Sequence, residues 1–235
     1  SVLDGVAKLA GDAPIAESIV YQLADCASRS GQLNRSESRF LEVADRWPRS
    51  RYADHSLYFA TECLIRKAQN ATDEARVAQL KEVGLLLDRF DQDYSASSIR
   101  QSHNLQRGQY LRLIGGQDDL ARAEQIYLSV LSSSRQQATV DEARYQLALV
   151  RQKLGDTRGA AEAVKPLAEA VIEDAQRGFP QSLILYSQLA RDSGDFASAS
   201  RAAQKYLDTQ PRGDLRAQAL SSLAMSGALG GDWSG

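Results

Sequence analysis

The residues able to support metal or thiol chemistry are few and widely separated in this sequence. Cys26 and Cys63 lie 37 positions apart, and His55 and His103 lie 48 positions apart. Structural and catalytic metal sites use short paired ligand spacings, and none of these four residues has one. We therefore expect no metal site, and interpret the cysteines as buried free thiols and the histidines as surface residues. A disulfide between the two cysteines stays open as an alternative in an oxidising compartment.

Nucleophilic catalysis and phosphate binding also lack their residue patterns. Neither His55 nor His103 has a serine or cysteine motif nearby that would place a base against a nucleophile. Gly115-Gly116 and Gly230-Gly231 follow helical patterns rather than strands, so they indicate helix ends and not phosphate loops. The paired carboxylates Asp118-Asp119 are typical of a helix N-terminus. The sequence therefore predicts a protein that is not an enzyme and needs no cofactor.

Composition and length favour a packed, near-neutral helical protein. The chain has 235 residues, a net charge of −2 and 43% hydrophobic residues. The balanced charge predicts neither a nucleic-acid partner nor attraction to anionic lipid. No stretch approaches the roughly 18 consecutive apolar residues that a membrane span requires, so no membrane insertion is expected. The start of the sequence has no signal-peptide pattern.

The elements that would position any functional residue are helices joined by Gly-Asp turns. Gly194-Asp195 separates two helical patterns, and the same pair recurs as Gly155-Asp156 and Gly231-Asp232. The spacings are 39 and 37 positions. A fixed period of this size with two helices in each period predicts an α-solenoid.

The whole chain, 1–235, reads as a single array of about five helix hairpins. A helix of the first hairpin carries Ile15, Ile19 and Leu23 on one face. Residues 1–12 are interpreted as the tail of a preceding repeat or as an N-terminal cap. The predicted hairpins are 13–48, 50–93, 95–134, 138–176 and 180–211, followed by a C-terminal helix 214–229.

Several local features of the array are predicted as well. Thr72 or Asp73 is expected to cap an unusually long helix, and Asp118 or Asp119 to cap another. A polar segment from Ser132 to Ala138 is expected to link two helices. Pro166 lies inside an apolar helical pattern, where it should bend or split the helix because it removes a backbone donor.

The recurring residues resemble the tetratricopeptide repeat (TPR) family. The resemblance covers nearly all of the chain, and it implies a right-handed α-solenoid of antiparallel helix hairpins that binds a protein or peptide in its groove. Small residues at these positions allow two helices to approach closely, and glycine allows the left-handed turn between them. The best matching residues are Leu183, Tyr186-Ser187, Gly194-Asp195, Ala199, Tyr206 and Pro211.

Two junctions also resemble those of TPR proteins of the bacterial cell envelope. The first is Arg46-Trp47-Pro48-Arg49-Ser50-Arg51-Tyr52-Ala53-Asp54, and the second, which lacks the proline, runs from Arg89 to Ala96. Such junctions are similar to those of periplasmic cell-division coordinators and outer-membrane assembly lipoproteins. This resemblance implies a location in the periplasm or cell envelope.

The groove is the predicted binding site. Tyr52, His55 and Phe59 share one helix face, and exposed aromatics beside polar groups are typical of peptide recognition. The alternative is that Tyr52 and Phe59 only pack between helices. Alignment of the repeats places these residues on the inward face: Gln22, Asp25, Arg29, Tyr52, His55, Phe59, Glu62, Arg112, Tyr145, Gln152, Lys153, Gln188 and Arg191.

Two functions are compatible with this pattern. The first is a scaffold that binds a protein or peptide in the groove. Gln22 and Asp25 argue against an acidic C-terminal peptide there, whereas Arg112, Lys153 and Arg191 would form a basic strip further along. The second is a structural segment of a longer superhelix or an assembly factor that associates end to end, as the turn at Gly231-Asp232 indicates.

Overall fold

The computed structural model describes residue 5 and residues 15–174, 179–210 and 212–230. All regular secondary structure in this part of the chain is helical. The chain forms two compact units, Ser1–Gly115 and Gly116–Gly235. Unit 1 contains α1 (Ala16–Arg29), α2 (Leu33–Arg46), α3 (Ala53–Gln69), α4 (Asp73–Asp93) and α5 (Arg100–Ile114). Unit 2 contains α6 (Gln117–Ser133), α7 (Gln137–Lys153), α8 (Thr157–Glu173), α9 (Gln181–Asp192), α10 (Phe196–Thr209) and α11 (Arg216–Gly230).

In unit 1 each helix packs against the next one in the chain, and α3 also contacts α5. The apolar residues of α1, such as Val20, Leu23 and Ala27, recur at helical spacing and are buried on one face. Helix α3 is buried over much of its surface, including Leu57 and Leu64, because helices pack on several sides of it. The core of this unit therefore centres on α3.

In unit 2 the consecutive helices α6 to α11 pack in the same way, and α9 also contacts α11. Helix α9 is buried from Ser182 to Ser187 without interruption, because α8, α10 and α11 surround it. Its neighbours contribute small side chains to the core, and Ala199, Ala202 and Ala203 of α10 are fully buried. The confirmed fold class is an all-α helical repeat.

Glycines in the left-handed conformation end several helices, as the sequence predicts. Gly31, Gly155 and Gly194 have φ values of +74°, +83° and +85°, and a residue with a side chain would be strained there. Asp156 and Asp195 then cap the next helices, accepting hydrogen bonds from the backbone N of Gly159 at 2.8 Å and of Ser198 at 3.1 Å. The Gly-Asp pairs thus end one helix and start the next.

Pro166 does not split its helix, contrary to one of the two predicted outcomes. α8 runs without interruption from Thr157 to Glu173. The carbonyl left without a donor belongs to Glu162, four residues earlier, and both Glu162 and Pro166 are on the exposed face. Water can therefore satisfy that carbonyl, and the opposite face keeps its packing.

Several predicted boundaries need correction. α5 begins at Arg100 rather than near Ser95, because Ser97 forms a turn in which its hydroxyl accepts from the backbone N of Ile99 at 3.2 Å. Gly116 occupies the N-cap of α6, so Asp118 and Asp119 lie in the first turn. The expected linker Ser132 to Ala138 is only three residues, 134–136, because α6 and α7 extend into it.

The capping prediction for α4 is only half right. Thr72 occupies the N-cap position of α4, but its side chain makes no capping hydrogen bond.

Some predictions fall on residues outside the described part of the chain. These are the helix-ending proline Pro211, the turn at Gly231-Asp232, and the segment 1–12 apart from Gly5. The division into five hairpins in one array and its right-handed course stay predictions.

Candidate functional site

The two cysteines are free thiols in different environments. Cys63 is buried and its Sγ lies 3.5 Å from the Oγ of Ser36, while burial raises the pKa of the Cys63 thiol. Cys26 is exposed, so its predicted burial is wrong; it lies on the outer edge of the α1 stripe, next to buried Ala27. Within the described residues no cluster of histidine, cysteine and carboxylate side chains has a metal-binding arrangement.

His103 is a core residue, which corrects its interpretation as a surface histidine. Only 1% of it is exposed, and its ring stacks on Phe90 with centroids 4.1 Å apart. Its Nε2 lies 3.1 Å from the Oδ1 of Asp91. Desolvation lowers the pKa of His103 from 6.5 to about 4, so the ring is neutral at pH 7. A histidine so enclosed is structural.

His55 contacts a carboxylate and not a nucleophile. Its Nδ1 lies 2.8 Å from the Oδ1 of Asp54, while the hydroxyl of Ser97 donates to the Oδ2 of Asp54 at 2.6 Å. Burial raises the pKa of Asp54, but the hydrogen bonds from Ser97 and His55 outweigh it and lower the pKa. Nucleophilic catalysis requires the histidine to bind the hydroxyl itself. This group therefore ties the turn before α5 to α3.

Five aromatic side chains form a continuous row through unit 1, which we call the aromatic row. Its members come from α1, α2 and both the start and middle of α3. The ring centroids of successive members are separated by 5.3, 5.3, 5.5 and 4.8 Å, in the order Tyr58, Phe59, Phe40, Tyr21 and Tyr52. Such distances fall in the range of favourable aromatic contacts.

The predicted groove residues Tyr52 and Phe59 belong to this row. Phe40 is fully buried, but Tyr21, Tyr52 and Phe59 are each only partly buried. The two predicted residues therefore pack between helices and also keep part of their surface exposed. His55, on the same helix face, is partly exposed beside them.

The polar groove residues predicted in unit 1 differ in their exposure and in their partners. Gln22 and Arg29 are exposed, and the Arg29 Nε contacts the Asp25 Oδ2 at 2.8 Å. Glu62 accepts from the Nε2 of Gln106 at 3.4 Å. Arg112 is partly buried near the end of α5.

The groove residues predicted in unit 2 make their own local contacts. Tyr145 packs against Phe179 with centroids 5.3 Å apart. Arg191 pairs with Asp192 at 2.9 Å, and Gln188 donates to Gln218 at 3.4 Å. Gln152 and Lys153 are exposed at the end of α7. The thirteen residues and the basic strip stay predicted binding residues.

Two features of unit 1 are not predicted by the sequence patterns. The first is the membership of Tyr21 and Tyr58 in the aromatic row. Tyr21 directly precedes Gln22 and Tyr58 directly precedes Phe59, so their positions beside predicted groove residues are the signal that the sequence offers. The second feature is a cluster of arginines at residues 46–51, which we call the basic turn. The Cζ of Arg46 lies 4.5 Å from the Trp47 ring, and the Cζ of Arg51 lies 4.7 Å from the Tyr52 ring.

The fold places the chain in the class of all-α helical-repeat proteins, and the comparison with solved structures agrees. The chain is similar to a thermophilic TPR protein of Thermus thermophilus, with a TM-score of 0.64 and 15% identity over 89% of this chain and 100% of that one. A TPR protein from Parabacteroides merdae matches with a TM-score of 0.46 and 12% sequence identity. The match covers 95% of this chain and 89% of that one.

At this identity the first match establishes a shared fold. Neither a family model nor a curated protein matches the sequence. None of the helices in the described residues is both long enough and apolar enough to cross a membrane.

Proposed function

We propose that the chain is a non-enzymatic interaction scaffold that binds a peptide or partner protein on the inward faces of α1 and α3. The observation that carries this proposal is the partial exposure of three members of the aromatic row, Tyr21, Tyr52 and Phe59. Partly exposed aromatics held rigidly by neighbours present apolar area at small entropic cost, which is why they recur at binding surfaces. The similarity to a TPR structure supports the class of function without specifying a partner.

The polar residues beside the row define what the partner offers. Gln22 supplies amide donors and an acceptor, His55 supplies a ring nitrogen, and Asp25 supplies a carboxylate. A peptide that places an apolar side chain against the row and backbone amides against these groups fits this surface. A terminal carboxylate facing Asp25 does not fit it.

The resemblance of the junctions at 46–54 and 89–96 to those of envelope TPR proteins extends the proposal to location. We expect the partner and the chain in the periplasm or at the envelope. Cell fractionation with an antibody to the chain tests this part independently of binding, and recovery with cytosolic markers alone would reject it.

The binding experiment uses a photo-crosslinking amino acid at Gln22, followed by affinity measurement with the captured partner. His55→Ala and Tyr52→Ala should each weaken binding by at least tenfold, because each removes contact area from one continuous surface. Arg158→Ala is the matched control, since its side chain is 88% exposed on α8 in unit 2. Circular dichroism checks that each variant is folded. Unchanged affinity in both His55→Ala and Tyr52→Ala would reject this surface as the binding site.

A second candidate function is association through the last helix, as a structural segment of a longer superhelix or as a self-associating assembly factor. The observation that favours it is the composition of α11, which has no charged residue after Arg216. Leu220, Met225 and Leu229 are 45%, 47% and 61% exposed. Sedimentation over a concentration series tests self-association. If the parent chain is a monomer at every concentration and the double variant Leu220→Glu with Leu229→Glu sediments in the same way, this function is excluded.

A further inference from the structure

We propose that the basic turn binds an acidic segment of a partner polypeptide through the carboxylates of aspartate or glutamate side chains. The inference rests on the proposed scaffold role but concerns a separate surface, at the entry to α3. An open cavity of about 650 Å³ lies there. Its lining residues are Glu17, Arg46, Trp47, Pro48, Arg49, Ser50 and Arg51.

The charges of this cavity are unbalanced. Three arginines face one carboxylate, that of Glu17, which forms no ion pair with any of them in the described residues. Arg46 contacts Glu42 at 3.0 Å, but Arg49 and Arg51 have no carboxylate partner among the described residues. Two guanidinium groups beside one cavity create a positive potential that favours an anionic ligand.

The turn itself does not require these arginines, as a second turn in unit 1 shows. The backbone N of Tyr52 donates to the Ser50 hydroxyl at 3.0 Å, and that of Ile99 donates to the Ser97 hydroxyl at 3.2 Å. In each turn the serine carbonyl also accepts from the residue three positions on. The two turns therefore share these two hydrogen bonds, although the Ser97 hydroxyl also donates to Asp54.

The two turns differ in the side chains on either side of the serine. With the serines aligned, Arg49 and Arg51 of the basic turn correspond to Ala96 and Ser98 of the second turn. The same backbone path thus forms without guanidinium groups. The turn therefore does not require Arg49 and Arg51, whose guanidinium groups have no carboxylate partner among the described residues.

One arginine is already held in place for a ligand. The Arg51 guanidinium lies over the Tyr52 ring and donates to its hydroxyl. Because Tyr52 limits the rotamers of Arg51, less side-chain entropy is lost when a carboxylate binds. Tyr52 also belongs to the aromatic row, so a partner on the row would continue onto the basic turn.

The chemistry favours an acidic peptide over a nucleic acid or a membrane. Arg49 and Arg51 give the lining two positive charges without a carboxylate partner among the described residues, beside the single carboxylate of Glu17, and the chain has a net charge of −2. Nucleic acids and anionic membranes are bound by extended basic surfaces that contact many phosphates. A short segment with a few carboxylates matches a patch of this size.

The experiment uses Trp47 as a built-in reporter. The chain has two tryptophans, so Trp233→Phe leaves Trp47 as the single fluorophore. Titration with hexaglutamate should give a saturable change in fluorescence that weakens as salt is raised, whereas hexaglutamine should give none. Arg49→Gln with Arg51→Gln should weaken hexaglutamate binding at least tenfold. Arg158→Gln is the matched control and should leave it unchanged.

Several outcomes would overturn the inference. These are the absence of a saturable change, equal binding of hexaglutamine, and equal affinity in the double variant and its control. Tighter binding of a phosphoserine peptide, of single-stranded DNA or of phosphatidylserine vesicles would reject carboxylates as the ligand.

The same probe separates this inference from the scaffold proposal. His55→Ala should keep hexaglutamate binding and lose partner binding. If His55→Ala and Tyr52→Ala weaken partner binding but hexaglutamate does not bind to the chain, only the inference about the basic turn is rejected. If hexaglutamate binds but His55→Ala and Tyr52→Ala leave the partner affinity unchanged, only the scaffold proposal for the surface around Tyr52 and His55 is rejected.

Discussion

The described helices of unit 1 are joined by several contacts between aromatic rings, whereas in unit 2 two of the described helices begin with a side-chain cap. In unit 1, Phe40, Leu64 and Phe90 are at most 1% exposed and fill the space between helices. Lys67 pairs with Glu37 across α2 and α3 at 2.8 Å. The same kind of pair links Arg89 to Asp45 at 2.6 Å across α2 and α4.

Unit 2 combines small buried side chains with larger ones such as Tyr127 and Leu183. Ala199 and Ala203 are fully buried on α10, and the Ser187 hydroxyl of α9 donates to the Ala199 carbonyl at 2.7 Å. The same kind of bond occurs in unit 1, where the Ser36 hydroxyl of α2 donates to the Ala24 carbonyl of α1 at 3.0 Å, so both units contain a closely packed pair of helices. Small residues permit that approach, which larger ones would prevent by steric overlap.

The difference shows where binding surfaces can arise in a helical repeat. Close packing through alanine and serine keeps apolar area inside the hairpin. Packing through aromatic rings leaves ring edges at the surface, as Tyr21 and Phe59 do in the aromatic row. We therefore expect the aromatic binding surface of this chain in unit 1, whereas α11 of unit 2 exposes aliphatic side chains.

The strongest test of the comparison is Phe40→Ala. Phe40 is 1% exposed and contacts Tyr21, Phe59 and the cluster around Ala24 and Ala60. Removing a buried aromatic side chain leaves a cavity and should lower the free energy of unfolding by about 4 kcal/mol. Urea unfolding measures the change in the free energy of unfolding. Hydrogen exchange should show that the backbone amides of unit 1 lose protection.

The control for Phe40→Ala is Val77→Ala on α4, where the side chain is 70% exposed. That change should alter the free energy of unfolding by less than about 0.5 kcal/mol. Equal destabilisation by both substitutions would contradict the view that aromatic volume holds unit 1 together. So would a loss of protection confined to unit 2.

A smaller effect is expected from the pH dependence of unit 1, which contains both histidines of the chain. Desolvation lowers the pKa of His103 to about 4, opposed by Asp91 and assisted by Arg107 and Arg100. Below pH 6.5 the unfolded chain takes up a proton that the folded ring resists. Stability should therefore be full above pH 6.5 and fall by up to about 3 kcal/mol as the pH decreases to about 4.

The control for this titration is His103→Gln, which removes the titrating ring and leaves His55. The difference in free energy of unfolding between the parent and this variant should depend on pH between 6.5 and 4. Parallel pH profiles of the two proteins would show that burial does not perturb His103.

Helix positions were predictable from the sequence because they depend on local patterns. Gly155 and Gly194 followed by aspartate fixed both the left-handed turn and the next cap. Side-chain environments were less predictable, since they depend on residues far apart in the chain. His103 was interpreted as exposed because nothing near it in sequence shows that Phe90 and Asp91 enclose it.

The candidate site shows the same limit. Tyr52, His55 and Phe59 were selected by helical spacing, which is a local property. The row that includes Tyr21 and Phe40 depends on how three helices pack, so spacing on one helix does not reveal it. The arginines of residues 46–51 are visible in the sequence, but only the comparison of two turns shows that the turn forms without Arg49 and Arg51.

The smallest predicted effect concerns the capped turns. The Asp195 carboxylate accepts from the backbone N of Ser198 at 3.1 Å, whereas Thr72 at the start of α4 makes no such bond. Asp195→Ala should therefore lower the free energy of unfolding by about 1 kcal/mol, and Thr72→Ala should change it by less than about 0.5 kcal/mol. Urea unfolding of both variants measures the difference. If the two substitutions cost the same, the side-chain cap at Asp195 does not stabilise its helix, and capping does not distinguish unit 2 from unit 1.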